Sequence, residues 1–187
     1  MDSGEINHAI DINELQKKLD SASGADSLYE DIVNAPFSFK VETAFLFLGI
    51  IVLLRVNKTT GNIDRIALSR TEPAAGTVEI SVKKFENIKI PLSDPKNIIA
   101  LAIRTGEPQK TSDWEYLFTP ALTGEQARLN QAGGAINYSC VYPLLSGNKG
   151  ALIFSYYQFD GGKSSDEQTK FMVSYSKLVD DQLGRFD

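Results

Sequence analysis

The sequence predicts an α+β domain: an antiparallel sheet of five or six strands flanked by helices, with the N- and C-terminal helices packed together. Three observations lead there. The elements run helix, hairpin, third strand, helix, strand, helix, strand pair, final helix. Two of the strand pairs are joined by short polar turns, one containing Gly61 and one reading Ser146-Gly147-Asn148, and short connections make neighbouring strands antiparallel. Both chain ends carry apolar residues at helical spacing.

Ile12, Leu15, Leu19 and Ala22 recur at intervals of three and four, so they share one helix face opposite Lys17, Lys18 and Asp20. After Ser23-Gly24, Ser27 and Glu30 read as a capping box for a helix striped by Leu28, Tyr29, Ile32 and Val33 and ended by Pro36. The run 41–48 fits helix or strand by period, and a helix ending near Gly49 is expected. β-Branched residues and leucines at 50–56, a polar turn at 57–62 and a second run at 63–70 read as a hairpin. Residues 72–77 read as loop, and the alternation over 78–82 as a third strand. Asp94 then sits at an N-cap position, with Pro95 first in a helix over 95–105 that stops at Gly106 and Pro108. A short strand is expected at 109–111. Thr123 and Gln126 form a capping box for a helix that Gly133-Gly134 ends. Strands at 135–145 and 149–159 follow. The last helix starts near Ser165 and carries Met172, Tyr175, Val179, Leu183 and Phe186 on one stripe. Such apolar terminal helices lead us to expect a homodimer formed through them. Division into an N-terminal helical extension, 1–26, and a single domain, 27–187, is the economical reading.

Composition excludes several classes. With a net charge of −5 and pI near 5.0 the chain lacks the clustered cations of a nucleic-acid surface, and Lys83-Lys84 is too small a patch. The longest apolar run, 44–54, is eleven residues broken by Gly49, short of the ~20 a helix needs to cross a bilayer. Neither nucleic acid nor membrane is therefore an expected partner. A lone cysteine, Cys140, cannot close an intramolecular disulfide, and the N-terminus has no signal-peptide pattern, which together fit a cytoplasmic setting. No metal or cofactor is expected, because His8 is the only histidine and no thiolate partner exists for Cys140.

The turn Arg-Thr-Gly-Glu-Pro at 104–108, the following Ser112-Asp113-Trp114, and the strand Val141-Tyr142-Pro143-Leu144-Leu145 with Gly147 and Gly150 before Ala151-Leu152-Ile153-Phe154 resemble a GAF domain, a sensory module related to PAS domains. The resemblance spans about 28–183. It implies a pocket between the sheet and its covering helices and loops, with a lid from about 112–131 and a sheet face from 135–145 and 149–158. It implies a non-enzymatic sensory or regulatory domain that binds an unidentified small molecule or signals to a partner protein. The 187 residues leave no room for an attached kinase, cyclase or DNA-binding domain, so the output is expected in a separate partner or in a piece outside this sequence. Three specialised GAF functions are disfavoured by departures from their patterns. Gln158-Phe159 stands where cyclic-nucleotide binders carry Asn-Lys, although Asp166-Glu167 is retained. Cys140 is followed by Val141 rather than the histidine beside a bilin-binding cysteine. GAF enzymes that reduce free methionine sulfoxide use several cysteines.

Asp113, Trp114, Tyr116 and Phe118 form an aromatic loop that either stacks on a ligand or closes the core edge. Arg128, on the next helix, offers a planar fork of donors to an anionic ligand or to Glu125 or Asp113. Tyr138 and Tyr142 share a strand face with Cys140, whereas Tyr156 and Tyr157 point to opposite faces, so one of the latter pair looks into the covered side. The candidate ligand-binding set is thus Asp113, Trp114, Tyr116, Phe118, Arg128, Tyr138, Tyr142 and Tyr156. No catalytic set is expected: Asp166-Glu167 and Asp180-Asp181 are sequence neighbours that diverge on a helix, and a lone His8 completes no triad. Competing readings are a ligand-free interaction module, in which the aromatics fill their own pocket, and a small redox enzyme resting on Cys140.

Overall fold

The computed structural model describes residues 9–147, 149–157 and 165–186. These form six strands and eight α-helices. The strands are β1 (Leu48–Asn57), β2 (Asn62–Leu68), β3 (Ile90–Pro91), β4 (Gln109–Thr111), β5 (Tyr138–Leu144) and β6 (Gly150–Tyr156). They make one sheet in the order β3-β2-β1-β6-β5-β4, antiparallel at every pairing. The hairpins expected from the Gly61 and Gly147 turns are β1–β2 and β5–β6. The expected positions His8, Asn148, Gln158 and Phe159 lie outside the described residues.

Alternation along the central strands sorts side chains into two cores. Ile51 and Leu53 of β1, with Leu152, Phe154 and Tyr156 of β6, face α1 (Ile12–Asp20), α2 (Ala25–Asn34) and α8 (Asp166–Leu183). Ile50, Val52 and Leu54, with Ala151 and Ile153, face α4 (Glu72–Ile80), α5 (Ile98–Thr105), α6 (Glu115–Phe118) and α7 (Gly124–Gly133). With both faces covered, β6 is buried along its whole length and β1 over its first seven residues. That is why these strands read as continuous apolar runs.

The terminal helices close the first face. Leu15 and Leu19 of α1 and Phe171, Met172, Tyr175, Val179 and Leu183 of α8 are all buried. Tyr175 Oη donates to the carbonyl of Ile32 at 2.7 Å, tying α8 to α2. Met172, Tyr175, Val179 and Leu183 of the expected stripe therefore face the chain's own core, whereas Phe186, past the helix end, is exposed; of the apolar residues within α8, Val173 is the one well exposed, at 53%.

Several local expectations are corrected. Residues 72–82 hold no strand: α4 begins at Glu72, with Thr71 Oγ1 accepting from the Ala74 N–H and Pro73 in the first turn. Its Val78 and Ile80, with Val82 beyond, are exposed, so their alternation was not that of a half-buried strand. The helix expected at 95–105 starts three residues later, because Asn97 rather than Asp94 caps it. The Asp94 carboxylate accepts instead from the Lys96 and Asn97 N–H groups. Ser27 is the third residue of α2 rather than its cap, and its Oγ accepts from the Gly24 N–H. The run 41–48 divides between α3 (Lys40–Phe45) and the start of β1, with Gly49 inside the strand. α2 stops at Asn34, and Pro36 lies in a following 3-10 turn. β5 starts at Tyr138 rather than at 135.

Candidate functional site

The second face of the sheet is not filled. Between β1, β2 and β6 and the elements α4, α6, α7 and 81–88 lies a half-open cavity whose empty space, mouth included, is about 500 Å³. Inside it about 40 Å³ is open to the centres of water-sized molecules, above the ~10–15 Å³ that one water needs. Its floor is Ile50, Val52 and Ile153, and its roof includes Trp114, Leu117 and Phe118.

The roof is held in place by buried polar contacts. Trp114 Nε1 donates to Ser139 Oγ at 2.9 Å, which is 2.8 Å from Ser155 Oγ on the neighbouring strand. The Trp114 N–H donates to Gln131 Oε1 on α7. Its ring tilts against Phe118 with centroids 5.2 Å apart. Asn97, which caps α5 with its Oδ1, donates through Nδ2 to the carbonyls of Leu117 and Thr119. One buried amide thus sets both the helix start and the end of the roof. α4 and α7 meet at glycines: a Cβ on Gly76 would lie 2.3 Å from the Gly133 carbonyl oxygen, so the bare backbones allow this close crossing.

Arg65 is the one buried cation of this wall. It is 6% exposed and lines the cavity from β2, stacked 4.5 Å from the Phe118 ring centroid and 5.8 Å from that of Phe85. Its Nε and Nη2 are closed off from solvent and have no hydrogen-bond partner. Burial pushes the guanidinium down to about 10, so it stays charged at neutral pH. A bulge aims this wall. Leu53 pairs with Ala67 and Leu54 with Arg65, leaving Ile66 as the extra residue. Arg65 and Leu68, three apart, therefore both face the cavity.

Neither a protein-family model nor a curated protein sequence matches the chain. Solved structures do. The GAF domain of an Acinetobacter phosphoenolpyruvate-protein phosphotransferase superposes with a TM-score of 0.62 at 10% identity, covering 93% of this chain and 90% of that one. Its counterpart from Coxiella burnetii gives 0.62 at 12% identity, with the same coverage. The chain has the GAF fold. Free methionine-R-sulfoxide reductase from Neisseria meningitidis, solved in complex with its substrate, is also similar, with a TM-score of 0.57 at 8% identity and coverage of 92% and 86%. At such identities the likeness concerns the fold alone.

Within this GAF fold the eight residues singled out from the sequence are distributed over four places. Trp114 and Phe118 line the cavity. Tyr116 points outward, 51% exposed. Asp113 and Arg128 form an ion pair, Nη2 to Oδ2 at 2.9 Å, which Glu115 joins. Tyr138, Tyr142 and Tyr156 lie with Cys140 on the opposite face, under the terminal helices. Burial there pushes the Tyr156 phenol well above its ordinary value, and its hydroxyl has no hydrogen-bond partner. Cys140 is itself buried, which denies it the access a redox sensor needs. Among the described residues no group of acidic, histidine or cysteine side chains could hold a metal, and no helix is long and apolar enough to cross a membrane.

The Asp113–Arg128 pair yields a pH prediction. The hydrogen bond from Arg128 holds the Asp113 carboxyl below its ordinary value. A depressed carboxyl stabilises above its unfolded pKa, and that contribution is lost as pH falls through the folded value. Asp113→Asn should therefore lower the thermal midpoint slightly at pH 7, the pair being solvent-screened, and the gap should close towards pH 3. Melting curves across that range check it; a gap that widens in acid would contradict the assignment.

Proposed function

We propose that this GAF-fold chain is a sensory or regulatory domain that binds a small molecule in the cavity beneath the Trp114–Phe118 roof. The observation that carries the reading is the cavity itself. A roof built only to seal the core would pack onto Ile50, Val52 and Ile153, whereas here space and a buried cation lie between them. A binding role is favoured over a redox one because the chain's single cysteine lies on the other face of the sheet.

Mass spectrometry of the purified chain, native and then denatured, tests this. A small molecule carried by the native protein and released on denaturation is the expected result. A chain that carries nothing, and whose Trp114 emission no added small molecule alters, would overturn it.

A further inference from the structure

Arg65 has no structural partner that accounts for its burial. Among the described residues it enters no ion pair. The adjacent carboxylate, Asp64, alternates to the other side of β2, where it accepts from Asn57 Nδ2 at 2.9 Å and lies 3.6 Å from Lys89 Nζ. A buried, unpaired charge is among the costliest features a fold can carry, and stacking between Phe85 and Phe118 offsets only part of it.

The unpartnered atoms identify the missing group. Nε and Nη2 lie along one edge of the guanidinium plane, and their two N–H bonds run nearly parallel. That edge matches the two oxygens of a carboxylate. The rest of the lining agrees: it holds a second cation, Lys83, no carboxylate, and mostly apolar side chains. Lys83 sits exposed at the rim and donates to the Ala121 carbonyl at 2.6 Å, so a single positive charge remains buried inside. One buried cation balances one negative charge.

Resting on the reading of the cavity as a small-molecule site, we propose that its ligand is a small organic monocarboxylate, held edge-on by Arg65 Nε and Nη2 with its apolar part against Val52 and Ile153. Phe118, behind the guanidinium, keeps it flat and desolvated, which strengthens the charge-assisted pair.

Trp114 is the only tryptophan and lines the cavity, so its emission reports binding. The test titrates the full chain at fixed ionic strength with isobutyrate, its neutral isostere isobutyramide, and inorganic phosphate, and follows the Arg65 Nε–H resonance in parallel. Isobutyrate should bind about tenfold or more tighter than the amide and move the Arg65 resonance. Arg65→Gln should abolish the preference and Arg65→Lys should keep part of it. Should the glutamine variant fail to fold, the comparison of acid with amide on the unaltered chain decides alone. Equal binding of acid and amide would overturn the anion assignment while leaving a small-molecule site in place. Phosphate binding tighter than isobutyrate would overturn the carboxylate class. No response to any probe would overturn this inference alone; the cavity reading falls only if, in addition, the native chain carries no small molecule in the mass spectrum.

Discussion

Gly150→Ala is expected to cost about 3–5 kcal/mol, in the range reserved for a change the backbone cannot absorb. Gly150 opens β6 and pairs with Arg55 of β1 on one side and Leu144 of β5 on the other. A Cβ at this position would lie 2.2 Å from the Leu54 carbonyl oxygen and 3.3 Å from the Arg55 Cα. Both are backbone atoms of the central strand, so no rotamer change relieves the overlap, and β1 and β6 must separate at this end of their ladder. Against a total stability of roughly 5–15 kcal/mol this is a large fraction. Urea unfolding should show a lower midpoint with the slope unchanged. Gly184→Ala is the control: with φ −62 and its nearest neighbour at 3.6 Å, it should stay within about 0.5 kcal/mol of the parent. Equal stability for both variants would mean that the close approach of β1 and β6 is not what requires a glycine at 150.

The framework was readable from the sequence because its signals are local and agree with one another. The Thr123–Gln126 box, the stop at Gly133-Gly134, the Ser165 cap and the two hairpins all rest on residues within a few positions of each other. α4 was misread because its signals compete. Val78, Ile80 and Val82 alternate as a strand would, and Gly76 reads as a breaker, yet that glycine serves a contact with Gly133, 57 residues further along the chain. The cap that could have revealed the helix is Thr71 followed by Glu72-Pro73.

The candidate site was half legible. Trp114 and Phe118 stood out as aromatics in a loop and do line the cavity. Arg65 did not, because in Asn62–Leu68 it reads, beside Asp64, as an ordinary charged residue of a short strand, and nothing near it in the sequence marks it as buried. What buries it is non-local: the 81–88 segment and Phe118 arrive from elsewhere, and the bulge at Ile66 is set by pairing with β1. The tyrosines drew attention for the opposite reason. Their hydroxyls are conspicuous in sequence, but strand parity alone could not say which face of the sheet holds the cavity.

Val179→Glu is expected to destabilise the fold itself rather than to disrupt an assembly. Val179 is fully buried on α8, within the core shared with α1, α2 and the sheet. A carboxylate there has no cation to meet and should cost about 3–5 kcal/mol. Burial also raises the folded-state pKa of the introduced carboxyl, so its penalty is present in full above that value and is relieved as pH falls below it. The variant should therefore gain on the parent between pH 7 and pH 5, opposite in sign to the loss of the Asp113–Arg128 contribution in acid. Val173→Glu separates fold from assembly, because that side chain on the same helix is 53% exposed and its replacement should leave the melting curve unchanged. If the chain self-associates through the outer face of α8, sedimentation of Val173→Glu will show it in a folded protein. A drop in mass seen only with Val179→Glu, and only alongside lost helical signal, would place the effect in the core.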